Sequence, residues 1–115
     1  MFYYKFQKKM TEYDDEKNVL IYWGEDLILK GYFDDFYESD NCLEMDDPNY
    51  VEYMATGFHI TEVVHDSGKE VMSPEFYTEF KKGKLMEISE INEPTKVILE
   101  NGEVIWETKR RWGYP

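Results

Sequence analysis

The sequence predicts an α+β protein, mostly antiparallel β. It reads as a single small domain, residues 1–115, of about six to seven strands in a curved sheet or partly open barrel with one short helix over 73–82. Three observations carry this expectation. An Asn-Gly pair splits the apolar run VILENGEVIW at residues 97–106, the strongest short-range hairpin signal in the chain. Two further runs of β-branched and aromatic residues are each interrupted by a few turn formers. Both a start and a stop signal for a helix occur in SPEFYTEFKKGK, residues 73–84.

Taken in chain order, VLIYWGEDLILKGYF at 19–33 reads as a hairpin with Gly24, Glu25 and Asp26 at its turn. Residues 34–47 hold no consistent period and are expected to be loop or a short irregular helix. GFHITEVVHDSGKEVM, residues 57–72, reads as a second hairpin, with Asp66, Ser67 and Gly68 supplying turn chemistry between Val64 and Val71. Within it begins DSGKEVMSPEFY, residues 66–77, which resembles the Asp, Gly-Lys, Val, Pro, Tyr string of bacterial WG-type β repeats. An extra residue before Pro74 departs from that pattern, and the string is not repeated along the chain.

In the expected helix Ser73 caps, Pro74 suits the first turn, Phe76 and Phe80 share a face, and Gly83 follows the closing lysines. A strand is expected over Leu85–Ile91, ended by Asn92, Glu93 and Pro94 because proline cannot donate to a ladder. For the last hairpin, a two-residue type I′ loop at Asn101 and Gly102 pairs Glu100 with Glu103, Leu99 with Val104, Ile98 with Ile105, Val97 with Trp106 and Lys96 with Glu107. That register puts Val97, Leu99, Val104 and Trp106 on the core side.

A chain of 115 residues that is 42% hydrophobic and 17% aromatic has enough apolar surface for one core, and is unlike a disordered chain. Its 25 acids outnumber 13 lysines and arginines, giving a formal charge of -12, so duplex nucleic acid and anionic membrane are repelled. The cations cluster: Lys5, Lys8 and Lys9 near one end, Lys81, Lys82 and Lys84 internally, and Lys109, Arg110 and Arg111 near the other end. A lone Cys42 closes no disulfide, and no export signal or membrane-length apolar run is present, so the expected location is cytoplasmic.

The search for chemistry ends without a catalytic, metal or cofactor site. On one strand His59 and His65 stand about 20 Å apart, too far to share an ion. Ser67 beside His65 and Asp66 lacks a nucleophile elbow, Cys42 sits among acids that disfavour its thiolate, and no glycine-rich phosphate loop exists. The order Asp40, Asn41, Cys42, Leu43, Glu44 does not match a calcium loop. Among 25 acids some pair always falls at a glycosidase-like separation, so none is singled out.

The informative stretch is GYFDDFYESDNCLEMDDPNYVEY, residues 31–53, with eight acids, six aromatics and no lysine or arginine. Acids ordinarily form solvated faces. Here they are concentrated, locally uncompensated and interspersed with tyrosines, which supply contact area at low entropic cost. The leading reading is a non-enzymatic acidic binding protein that neutralises a cationic, nucleic-acid-acting partner such as a nuclease, in the manner of immunity proteins, antitoxins or phage-encoded nucleic-acid mimics. The residues expected at the interface are Asp34, Asp35, Tyr37, Glu38, Asp40, Glu44, Asp46, Asp47, Glu52 and Tyr53.

Two other classes compete. One is a small β-rich enzyme or ligand-binding barrel with Tyr22, Trp23, Trp106 and Trp112 around a pocket and carboxylates as acid and base. The other is a structural or oligomerisation module built on strand edges. The tail TKRRWGYP, from Thr108, combines cations and aromatics suited to touching RNA, but its three charges oppose the field of the whole molecule, and folding back onto the acidic body, or fraying, is the favoured reading.

Overall fold

Apolar residues at every second position of Val19–Trp23 make β1 a strand with one wet face: Val19, Ile21 and Trp23 are buried while Leu20 and Tyr22 are half-buried. The computed structural model describes residues 5–40, 43–50, 52–72, 80–89 and 92–108, without the side chains of Ser39 and Tyr53. Within them lie β1, β2 (Leu27–Asp40), β3 (Glu52–Asp66), β4 (Leu85–Ser89), β5 (Lys96–Ile98) and β6 (Val104–Glu107), preceded by one short helix, α1 (Lys5–Met10). The strands form a single antiparallel sheet in the order β4-β3-β2-β1-β5-β6. This is the mostly antiparallel, single-domain α+β fold that the sequence predicts.

The first hairpin forms as expected, with Trp23 opposite Leu27 across Gly24, whose φ is 61°. β2 then runs on through Asp40, so the first part of the stretch expected as loop or irregular helix is strand. A bulge hides the period. Phe33 faces Phe58 and Phe36 faces Thr56, leaving Asp34 and Asp35 together opposite Gly57. Two inward phenylalanines thus stand three positions apart, and simple alternation fails.

The expected hairpin over 57–72 does not form. β3 extends to Asp66, but Val71 belongs to no strand, because the turn residues are held elsewhere. Ser67 donates its amide to the Asp26 carbonyl at 2.8 Å and its hydroxyl to Asp26 Oδ1 at 3.0 Å, fastening this turn to the β1–β2 turn. The chain instead returns through Gly83, at φ 89°, whose amide bonds the Ile60 carbonyl at 2.7 Å, and enters β4. β4 ends at Ser89; residues 90 and 91 of the expected Leu85–Ile91 strand lie outside the described residues, as do 73–79 of the expected helix. Of that helix's described part, Lys82 and Gly83 form a turn.

In the last hairpin Lys96 and Val97 pair with Glu107 and Trp106 as expected, but Ile98 pairs with Val104, leaving Ile105 as an extra residue. The loop has three residues, not two: the Gly102 amide bonds the Leu99 carbonyl and the Leu99 amide bonds the Glu103 carbonyl, both at 2.9 Å, with Gly102 at φ 91°. The bulge exchanges two side chains between faces. Ile105 is buried and Val104 is exposed, the reverse of the expected placement, while Val97 and Leu99 are buried as expected.

One face of the sheet holds the core: Val19, Ile21, Trp23, Leu27, Leu29, Phe33, Phe58, Ile60, Met86, Ile88 and Val97. α1 closes it. Phe6 and Met10, four apart on the helix, are fully buried, and Phe6 packs edge-on against Phe33 at 6.1 Å and Trp106 at 5.3 Å between centroids.

A buried polar residue ties the sheet's edge to its middle. The Asn92 side chain accepts from the Ser89 amide at 2.7 Å and donates to the Glu87 carbonyl at 2.8 Å, while its own carbonyl accepts from Trp23 Nε1 at 2.7 Å. These bonds occupy outward-pointing backbone groups of edge strand β4, where another chain could otherwise add a strand. Replacing Asn92 by Ala strands two buried backbone groups and is expected to lower stability by about 2–3 kcal/mol in urea unfolding. A Cβ at Gly31 would lie 1.9 Å from the His59 carbonyl oxygen, so Gly31→Ala is expected to cost about 3 kcal/mol. By contrast, at Gly57 the methyl meets the exposed Leu85 tip at 3.2 Å and Asp34 Cβ at an ordinary 3.6 Å, and the expected cost is under about 1 kcal/mol.

Candidate functional site

β2 and β3 stay paired beyond the ends of both neighbouring strands. β1 ends its pairing at Val19 opposite Gly31, and β4 ends at Ser89 opposite Ala55, whereas β2 and β3 continue to Asp40 opposite Glu52. The result is a two-stranded arm continued by the turns of residues 43–50. Those turns carry their own bonds: Asp47 amide to Glu44 carbonyl and Tyr50 amide to Asp47 carbonyl at 2.9 Å, and Asn49 amide to Asp47 Oδ1 at 2.8 Å.

This arm carries six of the acids singled out from the sequence, Glu38, Asp40, Glu44, Asp46, Asp47 and Glu52, while Asp34 and Asp35 precede it, opposite Gly57 where β4 still flanks β3. Asp34 and Asp35 stand exposed in the bulge, Glu38 is exposed opposite Met54, Asp40 faces Glu52, and Glu44, Asp46 and Asp47 occupy the turns. They follow one another along the β2–β3 hairpin and its turns, although not on one face: Asp34 and Tyr37 point to the sheet's outer side, Glu38 and Asp40 to the side of Phe36. Glu52 lies at the base of the turns, and the Tyr53 side chain falls outside the described residues, as does Cys42. Among the described residues, Lys9 pairs with Glu12 and Lys69 with Asp26, both at 3.8 Å and both away from the arm.

Tyr50 braces the arm's end. Its phenol is hydrogen-bonded to Glu52 and Asp40, and its pKa is raised, first by partial desolvation and then by the negative field of those two carboxylates.

The register also brings together residues that sequence reasoning missed. Tyr32 pairs with His59, and His59 pairs with Leu85, so one cross-strand row runs over the outer face of β2, β3 and β4. The Tyr32 and His59 rings stack at 4.8 Å with 14° between planes, and Leu85 is 53% exposed. In the next row Gly57 stands between Asp34 and Glu87, with the Leu85 and Asp34 side chains over it, and the Tyr37 hydroxyl donates to Glu87 Oε2 at 2.9 Å. His59 Nε2–H donates to Asp34 Oδ2 at 2.6 Å. The available signal was the position of Tyr32 between Gly31 and buried Phe33, which marks it as facing away from the core.

Other sequence candidates separate. His59 and His65 lie opposite Tyr32 and Ile28, and among the described residues no group of His, Cys, Asp and Glu could hold a metal ion. Trp23 is in the core while its neighbour Tyr22 is on the opposite face, so these two line no common pocket; Trp112 lies outside the described residues. Among the described residues no helix is long and apolar enough to cross a membrane.

A family model described as "Cognate immunity protein YxxD" matches residues 1–110. No curated protein and no solved structure matches the chain.

The Asp34–His59 contact has a readable signature. The hydrogen bond from His59, and secondarily its charge, holds the Asp34 carboxyl below the ordinary carboxylate range. Because the folded-state pKa is depressed, this stabilisation is present above about pH 4 and is lost as pH falls through the lower Asp34 value. In a carboxyl NMR titration the His59→Ala variant is expected to move the Asp34 midpoint upward, towards about 4.

Proposed function

Because the chain belongs to the Cognate immunity protein YxxD family, an immunity-type inhibitor family whose members answer to a partner toxin, we propose that its toxin is cationic and acts on nucleic acid. The complex forms in the cytoplasm, and the acidic β2–β3 arm is the docking element. The observation that carries this reading is the concentration of Glu38, Asp40, Glu44, Asp46, Asp47 and Glu52 on one projecting arm, with Asp34 and Asp35 exposed in the bulge just before it.

The physical case has two parts. Proteins that handle nucleic acid hold phosphates with lysine and arginine, so their working clefts are positive. A narrow arm bearing carboxylates at strand spacing enters such a cleft in place of the nucleic acid, and opposite fields raise the encounter rate by orders of magnitude at low salt. Tyr37, Tyr32 and Leu85 on the adjoining outer face then supply apolar contact beside the charges, and such contacts set the dissociation rate. Inhibition by occlusion asks no catalytic group of the immunity protein itself.

The test is the binding kinetics of the cognate toxin with a variant carrying Asp35→Lys, Asp46→Lys and Asp47→Lys. The association rate is expected to fall by about tenfold or more at low ionic strength, with the difference shrinking as salt is raised. Equal association rates for wild type and variant at low salt overturn the proposal, as does a cognate toxin whose bound face is acidic or neutral.

A further inference from the structure

The described surface holds a second feature of opposite character, outside the arm. Between α1 and β6 lies an open groove of about 480 Å³ lined by Lys5, Lys8, Lys9, Glu12, Ile105, Trp106 and Glu107. Its base is apolar, formed by Ile105 and by Trp106, whose ring packs edge-on against buried Phe6 and whose Nε1 donates to the Pro94 carbonyl at 3.2 Å. Three lysines of one helix, at positions i, i+3 and i+4, stand along the wall. Lys9 of this wall is paired with Glu12, and Glu107 lines the same trough, so Lys5 and Lys8 form its cationic side; an apolar base with that edge fits a segment that presents apolar side chains between carboxylates.

The chain itself contains such a segment. In the turns at the end of the arm, Leu43 is 41% exposed and Met45 79% exposed, and they alternate with Glu44, Asp46 and Asp47. Met is suited to irregular apolar troughs because its unbranched thioether adapts. The segment does not reach the groove of its own molecule: β2 and β3 remain paired to Asp40 and Glu52, seven residues and about 23 Å beyond Phe33, which packs against α1.

We propose that the groove receives the 43–47 turn of a second copy of this chain, in a reciprocal two-fold pair. Each arm lies along its partner, and Met45 rests on Ile105 and Trp106 of the other protomer while Glu44 and Asp46 meet Lys5 and Lys8. Extents of 45 × 31 × 29 Å suit two elongated protomers side by side and antiparallel. The two net charges of -12 oppose association, but at physiological ionic strength fields are screened within about 8 Å, whereas contacts seated on an apolar base are screened much less. Pairing of this kind covers the arm's tip when no other partner is present. The proposal stands independently of the toxin's chemistry.

A charge swap tests it with this chain alone. In sedimentation equilibrium the wild type is expected to dimerise, and Lys5→Glu with Lys8→Glu, or Glu44→Lys with Asp46→Lys, is expected to weaken dimerisation by about tenfold or more. Mixing the two variants is expected to restore it, because the reversed groove of one then faces the reversed turn of the other, and the unreversed groove faces the unreversed turn, each pair of opposite sign. Met45→Ser is expected to weaken the wild-type dimer by about tenfold without altering the salt dependence. All these positions are exposed, and circular dichroism with thermal unfolding verifies that each variant folds. A wild type that stays monomeric up to about millimolar concentration overturns the proposal, as does a dimer indifferent to both reversals or a mixture that fails to recover.

Discussion

The pairing of β2 with β3 is the constraint from which the rest follows. Strands of 14 and 15 residues exceed their neighbours in length, so one part of the hairpin is the centre of the sheet and the other part projects as an arm. Register shifts between Ile28 and Leu29, Lys30 and Gly31, and Phe33 and Phe36 increase its twist. A coiled sheet can wrap a core with little help, and here the only α-helix among the described residues has six residues, followed by one 3-10 turn at Thr11–Tyr13. Tight backbone approach is part of the same arrangement: at Gly31 the His59 carbonyl occupies the space where a side chain would stand.

A one-sided core leaves the other face of the sheet to solvent, and its residues differ accordingly along the hairpin. Where β1 and β4 flank it, the outer face carries Tyr32, His59, Leu85 and Glu87, half-wet side chains held in cross-strand rows. Farther out, where neither neighbour remains, both sides are wet and carboxylates dominate. Mutual repulsion between such acids is modest for each pair, about 0.4 kcal/mol for two unit charges 10 Å apart in water. The fold therefore tolerates them. A positively charged partner that excludes water converts the same field into a larger attraction.

Asn92 shows the complementary use of polarity. It is 1% exposed, yet its side chain and backbone satisfy groups on β4 and on Trp23 of β1, so the open edge and the centre are bound through one residue. The fold thus occupies backbone groups on its β4 edge while it leaves the arm and the lysine-lined groove exposed.

How much of this was legible in the chain can be read from single residues. Local chemistry determined the β-rich class, the Gly24–Asp26 turn, the Lys96–Glu107 and Val97–Trp106 pairs, and the concentration of acids over 34–52. Each depends on neighbours in sequence: a turn residue's φ preference, a side-chain period of two, or a local count of charge. The bulges at Asp34–Asp35 and Ile105, the diversion of Ser67 onto Asp26, the burial of Asn92 and the Tyr32–His59–Leu85 row were decided by tertiary structure. Every one is an agreement between segments tens of residues apart. One extra residue in a ladder reverses which side chains face the core, and whether it is inserted depends on what the opposite strand offers, as Gly57 does to Asp34.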